Sequence, residues 1–169
     1  MKIARANQAW ALDTTYIPMA RGFVYPTAVV DWSSRKVLSH RVAITLEAVH
    51  AVEALEEAFA RYGQPDIVNT DQGSQFTANA FTEAVLVRGI RLSMDGKGSW
   101  RDNVFVERVW RSIKYEEVYL KAYESVSHAR RSIGEYINLY NRKRPHSSLA
   151  DRTPDEAYFA TLPAIKSAA

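Results

Sequence analysis

The stretch AWALDTTYIPMARGFVYPTAVVDWSSRKVLSHRVAI, residues 9–44, decides the predicted fold class because it contains three strand-like segments in succession. Residues 9–18, 24–32 and 36–44 are rich in Val, Ile, Thr and aromatic side chains, which favour strands. The links between them are short, and SSR at 33–35 is typical of a tight turn that Asp31 helps to shape. Strands joined in this way predict an antiparallel meander.

Helix-like and strand-like segments alternate in the remainder of the chain. Strands are predicted at 66–69 and 90–94, a loop at 95–102, and helices at 46–63, 77–89, 103–123, 128–142 and from 154 onward. The expected N-caps are Thr45, Thr77, Asp102 and either Ser125 or Ser127. A meander followed by this alternation predicts an α/β fold, with a five-stranded mixed sheet and helices on both faces.

Length and composition limit the classes of protein to which the chain can belong. Its 169 residues suit one domain, and 47% hydrophobic residues can form a substantial core. The absence of cysteine excludes disulfides and thiolate metal sites, and it suits a reducing cytoplasm. No apolar segment approaches the roughly 20 residues of a membrane span, so no membrane partner is expected. The C-terminal half is locally basic, which is compatible with a nucleic-acid partner.

Three carboxylates lie at positions where simple structural roles compete with a metal site. Asp13 lies within the first strand, where the alternative is an edge position facing water, and Asp71 follows the 66–69 strand in a segment that also suits a turn. Glu107 lies one turn into a helix, where pairing with Arg111 at i+4 is the simpler role. Together the three are hard oxygen ligands that suit Mg²⁺ or Mn²⁺ rather than zinc. Three carboxylates can share two such ions in an in-line displacement, with Arg111 and Lys114 holding phosphate nearby.

Five blocks of sequence follow one another along the chain. They are WALDTTYI (10–17), VVDWSSRKV (29–37), NTDQGSQF (69–76), SMDGKGSWRDNVFVERVWRSIKYE (93–116) and YINLYNRKRPHSSL (136–149). Positions 71 and 107 leave 35 residues between them, the D-D-35-E spacing of retroviral integrases and related transposases. The five blocks in this order resemble the catalytic domain of insertion-sequence transposases of the IS3 type. The resemblance covers about residues 8–160 and implies a ribonuclease-H-like fold.

The resemblance also implies residue roles and a reaction. Asp13, Asp71 and Glu107 would be the catalytic residues and would bind two ions, Mg²⁺ or Mn²⁺, with DNA bound. Water would first cleave a phosphodiester at the element end, and the released 3′-OH would then attack a second phosphodiester. Lys114 is expected to contact DNA near the cleaved end. The 95–102 loop is expected to be mobile and to order over DNA, and further DNA contacts are expected from Lys97, Arg101 and Arg111.

Partners and organisation follow from the same resemblance. The expected partners are transposon ends and target DNA, further copies of the chain in a homo-oligomer, and a separate helix-turn-helix subunit or domain. We expect an N-terminal arm at 1–8, a catalytic core at 9–124, and a C-terminal helical extension of the same domain at 125–169. The expected location is the bacterial cytoplasm, in association with the nucleoid. His146 is expected to pack or to contact DNA rather than to act as an acid or base.

Two alternatives remain open at this point. One is a ribonuclease-H-like cellular nuclease, such as a junction resolvase or an RNA–DNA hybrid nuclease, although these commonly use a fourth carboxylate and lack the YINLYNRKRPH block. The other is a non-catalytic, DNA-binding transposase remnant, because the first block begins within ten residues of Met1. So early a start is equally compatible with a piece of a longer protein and with one reading frame of a split product.

Overall fold

The computed structural model describes residues 3–94 and 100–162, with side chains described for 3–94 and 105–162. The strands in these ranges are β1 Ala9–Thr14, β2 Ile17–Pro18, β3 Phe23–Asp31, β4 Val37–Ala43, β5 Ile67–Thr70 and β6 Arg91–Met94. The α-helices in them are α1 Ala48–Tyr62, α2 Ser74–Thr77, α3 Asn79–Leu86, α4 Trp100–Glu116, α5 Val126–Lys143 and α6 Pro154–Thr161. Single 3₁₀ turns occur at Val118–Leu120 and Ser147–Leu149.

The strands form one mixed sheet, as the sequence predicts, but the sheet has six strands rather than the predicted five. β3 lies between β4 and β1 and is antiparallel to both, whereas β1 is parallel to β5 and β5 is parallel to β6. The first predicted strand, 9–18, is divided in two: β2 continues beyond β1 and pairs with the start of β3. The predicted combination of an antiparallel meander with parallel strands is therefore confirmed. It makes β1 a central strand with a neighbour on each side.

β1 separates two hydrophobic cores because its side chains alternate between the faces of the sheet. Trp10 and Leu12 belong to the core formed with α1 and α3, whereas Ala11 belongs to the core formed with α4 and α5. The α1–α3 core also contains Leu55, Phe59, Phe81 and Val85. The α4–α5 core also contains Phe105, Val109, Ile113, Ile133, Ile137 and Tyr140. A residue two places after Ala11 therefore faces α4.

Two helix starts match the signals in the sequence. The Ser125 hydroxyl accepts a hydrogen bond from the His128 backbone N–H at 3.0 Å, so that Ser125 is the N-cap of α5. α6 begins at Pro154, as predicted, and the preceding Thr153 forms a reciprocal capping box with Glu156. At both starts, the residue before the helix caps it with its side chain, and the first helical turn accommodates this cap.

The other predicted N-caps are wrong. Thr45 precedes α1 by more than one residue, and Glu47 at the N-cap position makes no side-chain capping bond. Thr77 ends α2 rather than starting a helix. Asp102 lies inside α4, which begins at Trp100. The presence of a suitable capping side chain does not determine where the backbone becomes helical. A prediction from residue type alone therefore placed these helix starts wrongly.

The predicted loop at 95–102 and helix at 103–123 differ from the structure at both ends of α4. Residues 95–99, and with them the expected mobility of this segment, lie outside the described ranges, whereas 100–102 form the first turn of α4. The helix ends at Glu116 because Glu117 leaves helical geometry and buries its carboxylate. That carboxylate accepts hydrogen bonds from the Tyr123 hydroxyl at 2.6 Å and the Ser132 hydroxyl at 2.7 Å. Within the described residues, no helix is both long and apolar enough to cross a membrane.

Candidate active site

Two of the predicted site residues meet because β1 and β5 are neighbouring parallel strands. Ala11 of β1 is in register with Asn69 of β5. Asp13 lies two residues after Ala11, and Asp71 lies two residues after Asn69, so both side chains lie on the same face of the sheet. Both also lie toward the carboxyl ends of these strands, where sites gather in open sheets with parallel strands. The charge of Asp71 acts on the Asp13 carboxyl, so the two groups lie close together.

The Asp13 carboxyl is held in a partly buried position against α4. Its Oδ2 accepts a hydrogen bond from the Trp110 indole N–H at 3.0 Å. Burial is the main reason that the pKa of Asp13 rises to about 7, and the negative charge of Asp71 raises it further. The Trp110 indole opposes this rise because it donates to the ionised form. Near neutral pH, the Asp13 carboxyl is therefore about half protonated, and a bound cation can replace its proton.

The Asp71 carboxylate is oriented by the turn that follows β5. Its Oδ1 accepts a hydrogen bond from the Gly73 backbone N–H at 2.8 Å. A Cβ at position 73 would lie 2.9 Å from this Oδ1, closer than such atoms approach. Gly73 is therefore required for the close approach of its backbone to the carboxylate, since its φ of −59° is open to any residue. The turn expected in this segment is therefore also what orients the Asp71 carboxylate.

Glu107 lies on α4, exposed, on the same side of the helix as the residues that reach β1. Trp110 follows it by one turn and bonds Asp13, and Lys114 follows it by two turns. The Lys114 Nζ donates to the Thr15 hydroxyl at 2.8 Å and lies 5.9 Å from the centre of the Tyr16 ring. The row that contains Glu107 therefore faces the end of β1 that carries Asp13.

The structure brings Asp13 and Asp71 together but does not bring Glu107 to them. Among the side chains at 3–94 and 105–162, no three acidic or histidine groups are arranged to hold a metal ion. The pair itself fits a divalent ion such as Mg²⁺, because it offers hard carboxylate oxygens whose mutual repulsion a cation relieves. A site of three carboxylates thus stays a prediction, and Asp13 and Asp71 are the two of these residues that the structure brings together.

The predicted DNA contacts divide into those that are described and those that are not. Lys97 and the side chain of Arg101 lie outside the described residues. Arg111 is exposed on α4 with its guanidinium 5.7 Å from the centre of the Tyr115 ring. Lys114 is partly buried, and its bond to Thr15 places it just beyond the end of β1, two residues after Asp13. Both cations lie on the same face of α4 as Glu107.

Other acidic and histidine residues have structural roles in the described part of the chain. Asp31 shapes the β3–β4 turn, as predicted: its carboxylate accepts from the Asn7 N–H at 2.8 Å and from the Ser34 hydroxyl at 2.6 Å. Asp66 is exposed and pairs with Arg5. His146 packs edge-on against Tyr140, with ring centres 5.0 Å apart. The packing expected for His146 is therefore observed.

Trp110 is a residue of the candidate site that the sequence did not reveal. Its spacing from Val106, Val109 and Ile113 indicates an apolar seam, and most of the side chain is indeed buried in the α4–α5 core. Only the indole N–H has a polar role, at Asp13. The signal that could have found it was a tryptophan three residues after a candidate ligand, because such residues share a helix face and a buried indole N–H needs an acceptor.

Comparisons with known sequences agree with this geometry. The integrase core domain family matches residues 4–99, and a second family with the same description matches residues 88–154. The transposase for insertion sequence element IS904 of Lactococcus lactis subsp. lactis (strain IL1403) is 31% identical over 158 residues, 92% of this chain and 62% of that protein. Transposase InsF for insertion sequence IS3A of Escherichia coli (strain K12) is 33% identical over 153 residues, 89% of this chain and 53% of that protein. The resemblance to IS3-type transposases is confirmed, and the chain spans between about half and three-fifths of these relatives.

Solved structures show the same fold at lower sequence identity. The integrase catalytic core domain of HTLV-2, in complex with magnesium, superposes with a TM-score of 0.74 at 20% identity, over 91% of this chain and 97% of that one. A chain of the simian T-cell lymphotropic virus intasome, in complex with PP2A regulatory subunit B56 gamma, superposes with a TM-score of 0.79 at 20% identity, over 99% of this chain and 61% of that one. The expected ribonuclease-H-like fold is confirmed by these matches. The chain belongs to the integrase core domain family.

Proposed function

We propose that the chain is the catalytic domain of a DNA transposase of the IS3 type. In this proposal it cleaves phosphodiesters at element ends and transfers the resulting strands into target DNA. The observation that carries the proposal is the pair of carboxylates, Asp13 and Asp71, at the carboxyl ends of two neighbouring parallel strands. The basic face of α4 beside this pair and the similarity to two transposases support it.

The proposed metal ligands are Asp13, Asp71 and Glu107, with Mg²⁺ or Mn²⁺ as the ions. When bound, a pair of such ions supplies activation of the attacking oxygen and stabilisation of the leaving oxygen. The chain's own groups prepare the ligands: the Trp110 indole orients Asp13, and the Gly73 N–H orients Asp71. A carboxylate already oriented by such bonds loses little entropy when it binds a cation.

The proposed reaction uses no nucleophile from the protein. In the first step, water attacks a phosphodiester at the element end, and the P–O3′ bond breaks to leave a 3′-OH on the element and a 5′-phosphate. In the second step, that 3′-OH attacks a target phosphodiester, a new P–O bond forms, and a target 3′-OH leaves. Arg111 and Lys114 bind phosphate oxygens, which places the reacting phosphorus near Asp13 and Asp71.

The proposed partners are DNA, further copies of the chain, and a helix-turn-helix unit that reads the element ends. The HTLV-2 integrase core has been described in trimeric and dimeric forms, which supports a homo-oligomer. Sequence-specific end recognition is assigned to the helix-turn-helix unit because α4 offers charged groups that bind the DNA backbone and carry no base information.

The test is nicking of supercoiled plasmid DNA in the presence of Mg²⁺ or Mn²⁺. Asp71→Asn should reduce nicking to the background rate, a loss of at least about 100-fold if the carboxylate binds the metal. Asp66→Asn is the matched control, since Asp66 is exposed and pairs only with Arg5 among the described residues. It should retain the wild-type rate, and circular dichroism should show both variants folded.

Two outcomes would reject the proposal or redirect it. Nicking that persists in Asp71→Asn, or in excess chelator, would exclude a metal site at the Asp13–Asp71 pair. Cleavage of the RNA strand of an RNA–DNA hybrid, with no nicking of plasmid DNA, would assign the same site to a cellular hybrid nuclease.

A further inference from the structure

A cleft of about 550 Å³ lies on the side of α4 next to the row of Glu107. Its walls come from α4, from the β3–β4 turn, and from the segment that follows α5. Cationic and hydroxyl side chains dominate its lining: Arg35, Arg108, Arg111, Arg144, Ser112, Ser147 and Ser148. Aromatic and apolar parts of the wall come from Phe105, Val109, Tyr140, Pro145 and His146. We refer to it as the arginine cleft.

The arginine cleft carries an excess of positive charge. Among the described side chains, no acidic group lines it. Arg144 is balanced by Glu116, whose Oε2 lies 2.6 Å from Nη2. In the described part of the chain, Arg35, Arg108 and Arg111 have no carboxylate within ion-pair distance. Three guanidinium groups therefore face one cavity without an anion from the described protein.

Arg35 is held toward the cleft by the β3–β4 turn. Its backbone adopts a left-handed conformation with φ of 65°, which suits glycine or asparagine better than arginine. Its side chain folds back, so that Nη1 donates to the Trp32 carbonyl at 2.6 Å and the guanidinium lies 4.7 Å from the centre of the Phe105 ring. Burial lowers the pKa of Arg35, and Arg108 lowers it further. The turn alone gives no reason for a long cation at this position.

His146 is subject to the same positive field. Its Nδ1 lies 3.5 Å from Arg144 Nη1, and a guanidinium can only donate, so Nδ1 accepts and the ring is neutral. The pKa of His146 is lowered by burial and then by Arg144 and Arg35. The ring therefore adds no charge of its own, and the field in the cleft comes from the arginines.

We propose that the arginine cleft binds phosphate groups of a nucleic-acid strand and leads that strand to the Asp13–Asp71 pair. Guanidinium groups bind phosphate oxygens in a bidentate manner, and serine hydroxyls add single hydrogen bonds. Arg108 and Arg111 lie one and four residues after Glu107 on α4, so a strand bound in the cleft would pass beside Glu107. This proposal rests on the proposed function, because it assigns the path of the DNA that the acidic pair cleaves.

The test measures DNA binding without cleavage. Fluorescence anisotropy of a labelled duplex of about three helical turns, in excess chelator, gives the dissociation constant over a fourfold range of salt concentration. Arg108→Gln removes one free cation from the cleft and none of the described hydrogen bonds, since Arg108 is exposed. Arg131→Gln, at an exposed position of α5 well over two turns before Tyr140, makes the same change away from the cleft.

The expected result is a smaller salt dependence for Arg108→Gln. One lost phosphate contact lowers the slope of log K against log salt by about 0.9. The affinity of the wild type should then fall about 3.5-fold more over the fourfold rise in salt than that of Arg108→Gln. Arg131→Gln should keep the wild-type slope.

An unchanged slope in Arg108→Gln, or an equal change in Arg131→Gln, would overturn the proposal. A titration with inorganic phosphate at constant ionic strength tests whether the cleft instead binds a free phosphate ion. Saturable binding of phosphate that Arg108→Gln abolishes, with unchanged DNA binding, would assign the cleft to a free anion and reject the strand path. Because these measurements require no catalysis, they hold or fail independently of the nicking test.

Discussion

The contact between Gly73 and Asp71 ties a backbone requirement to a candidate metal ligand. The N–H of Gly73 bonds the Asp71 carboxylate at 2.8 Å, and the missing Cβ leaves room for it. The backbone at Gly73 has an ordinary extended conformation, so replacement by alanine causes no strain in φ. The steric conflict falls on two side-chain oxygens, those of Asp71 and Gln75.

Gly73→Ala should therefore lower activity much more than stability. The Gln75 side chain can move away, whereas displacement of Asp71 disturbs the position of a proposed ligand, and a shift of about 1 Å can cost about 100-fold in rate. Plasmid nicking should fall by at least about tenfold, while the free energy of unfolding in urea changes by less than about 1 kcal/mol. Loss of stability in proportion to activity would instead mean that the turn is needed only for folding.

The raised pKa of Asp13 predicts a pH-dependent cost to folding in the absence of metal. The folded chain holds the Asp13 proton up to about pH 7, whereas the unfolded chain releases it near the ordinary value of 3.8. Between these values the folded state binds more protons, so the free energy of unfolding falls as pH rises. Asp13→Asn removes this loss.

In chelator, Asp13→Asn should be more stable than the wild type by roughly 2–4 kcal/mol above about pH 7.5, and nearly equal to it below about pH 4. Urea denaturation across this pH range measures the difference. Added Mg²⁺ should stabilise the wild type and leave Asp13→Asn nearly unchanged. A stability difference that is the same at all pH values would refute the assigned cause.

At the scale of elements, α4 carries two kinds of glutamate, and they predict opposite phenotypes. Glu107 is exposed, with no ion pair to another described residue. Glu116 accepts hydrogen bonds from Arg144 Nε at 2.9 Å and from the Tyr136 hydroxyl at 2.6 Å, which joins α4 to α5. The pKa of Glu116 is accordingly lowered, chiefly by the bond from Arg144.

Glu107→Gln should abolish metal-dependent nicking and leave the melting temperature within about 1 °C of the wild type. Glu116→Gln should destabilise the chain by about 1 kcal/mol, since the Arg144 and Glu116 side chains are 33% and 40% exposed, and should keep most of the activity at room temperature. Differential scanning calorimetry and the nicking assay together separate the two effects. Normal nicking by Glu107→Gln would remove Glu107 from the site.

Elements and site differ in how far the sequence could predict them. The strands were predictable because alternation and β-branched residues act locally, and Asp13 and Asp71 were expected to be ligands from their positions within and just past strands. The starts of α1, α3 and α4 were misplaced at Thr45, Thr77 and Asp102, because a cap depends on the backbone conformation around it. The arginine cleft was not predictable, since Arg35 and Arg144 are neighbours only after folding.

At the scale of the whole molecule, β1 joins the two cores. Trp10 lies in the α1–α3 core and Trp110 in the α4–α5 core, so tryptophan fluorescence reports on both faces of the sheet. α5 contributes Ile133 and Tyr140 to the second core, although it follows the predicted catalytic core in sequence. If 125–169 is an extension of the same domain, both cores must unfold together.

Ile133→Ala should therefore lower the free energy of unfolding by about 2–5 kcal/mol and shift the far-ultraviolet circular dichroism and fluorescence transitions equally. Leu139→Ala on the same helix is the control, because Leu139 is 50% exposed and its loss should cost little. Two separate transitions in Ile133→Ala would show that the C-terminal helices form a domain of their own.

The hydrogen-bonded pairing of β1 with β5 has a consequence for the order of events during catalysis. Neighbouring strands keep a spacing of about 4.8 Å, so the backbones that carry Asp13 and Asp71 cannot separate without breaking the sheet. α4 is attached to β1 through side chains such as Trp110, which can shift without such a cost. Glu107 is thus the proposed ligand whose arrival at the pair can be delayed. If Glu107 is a ligand, we expect the chain to be inactive with metal alone and to become active when bound DNA brings Glu107 to the Asp13–Asp71 pair, and a metal affinity that rises on DNA binding is the expected sign of it.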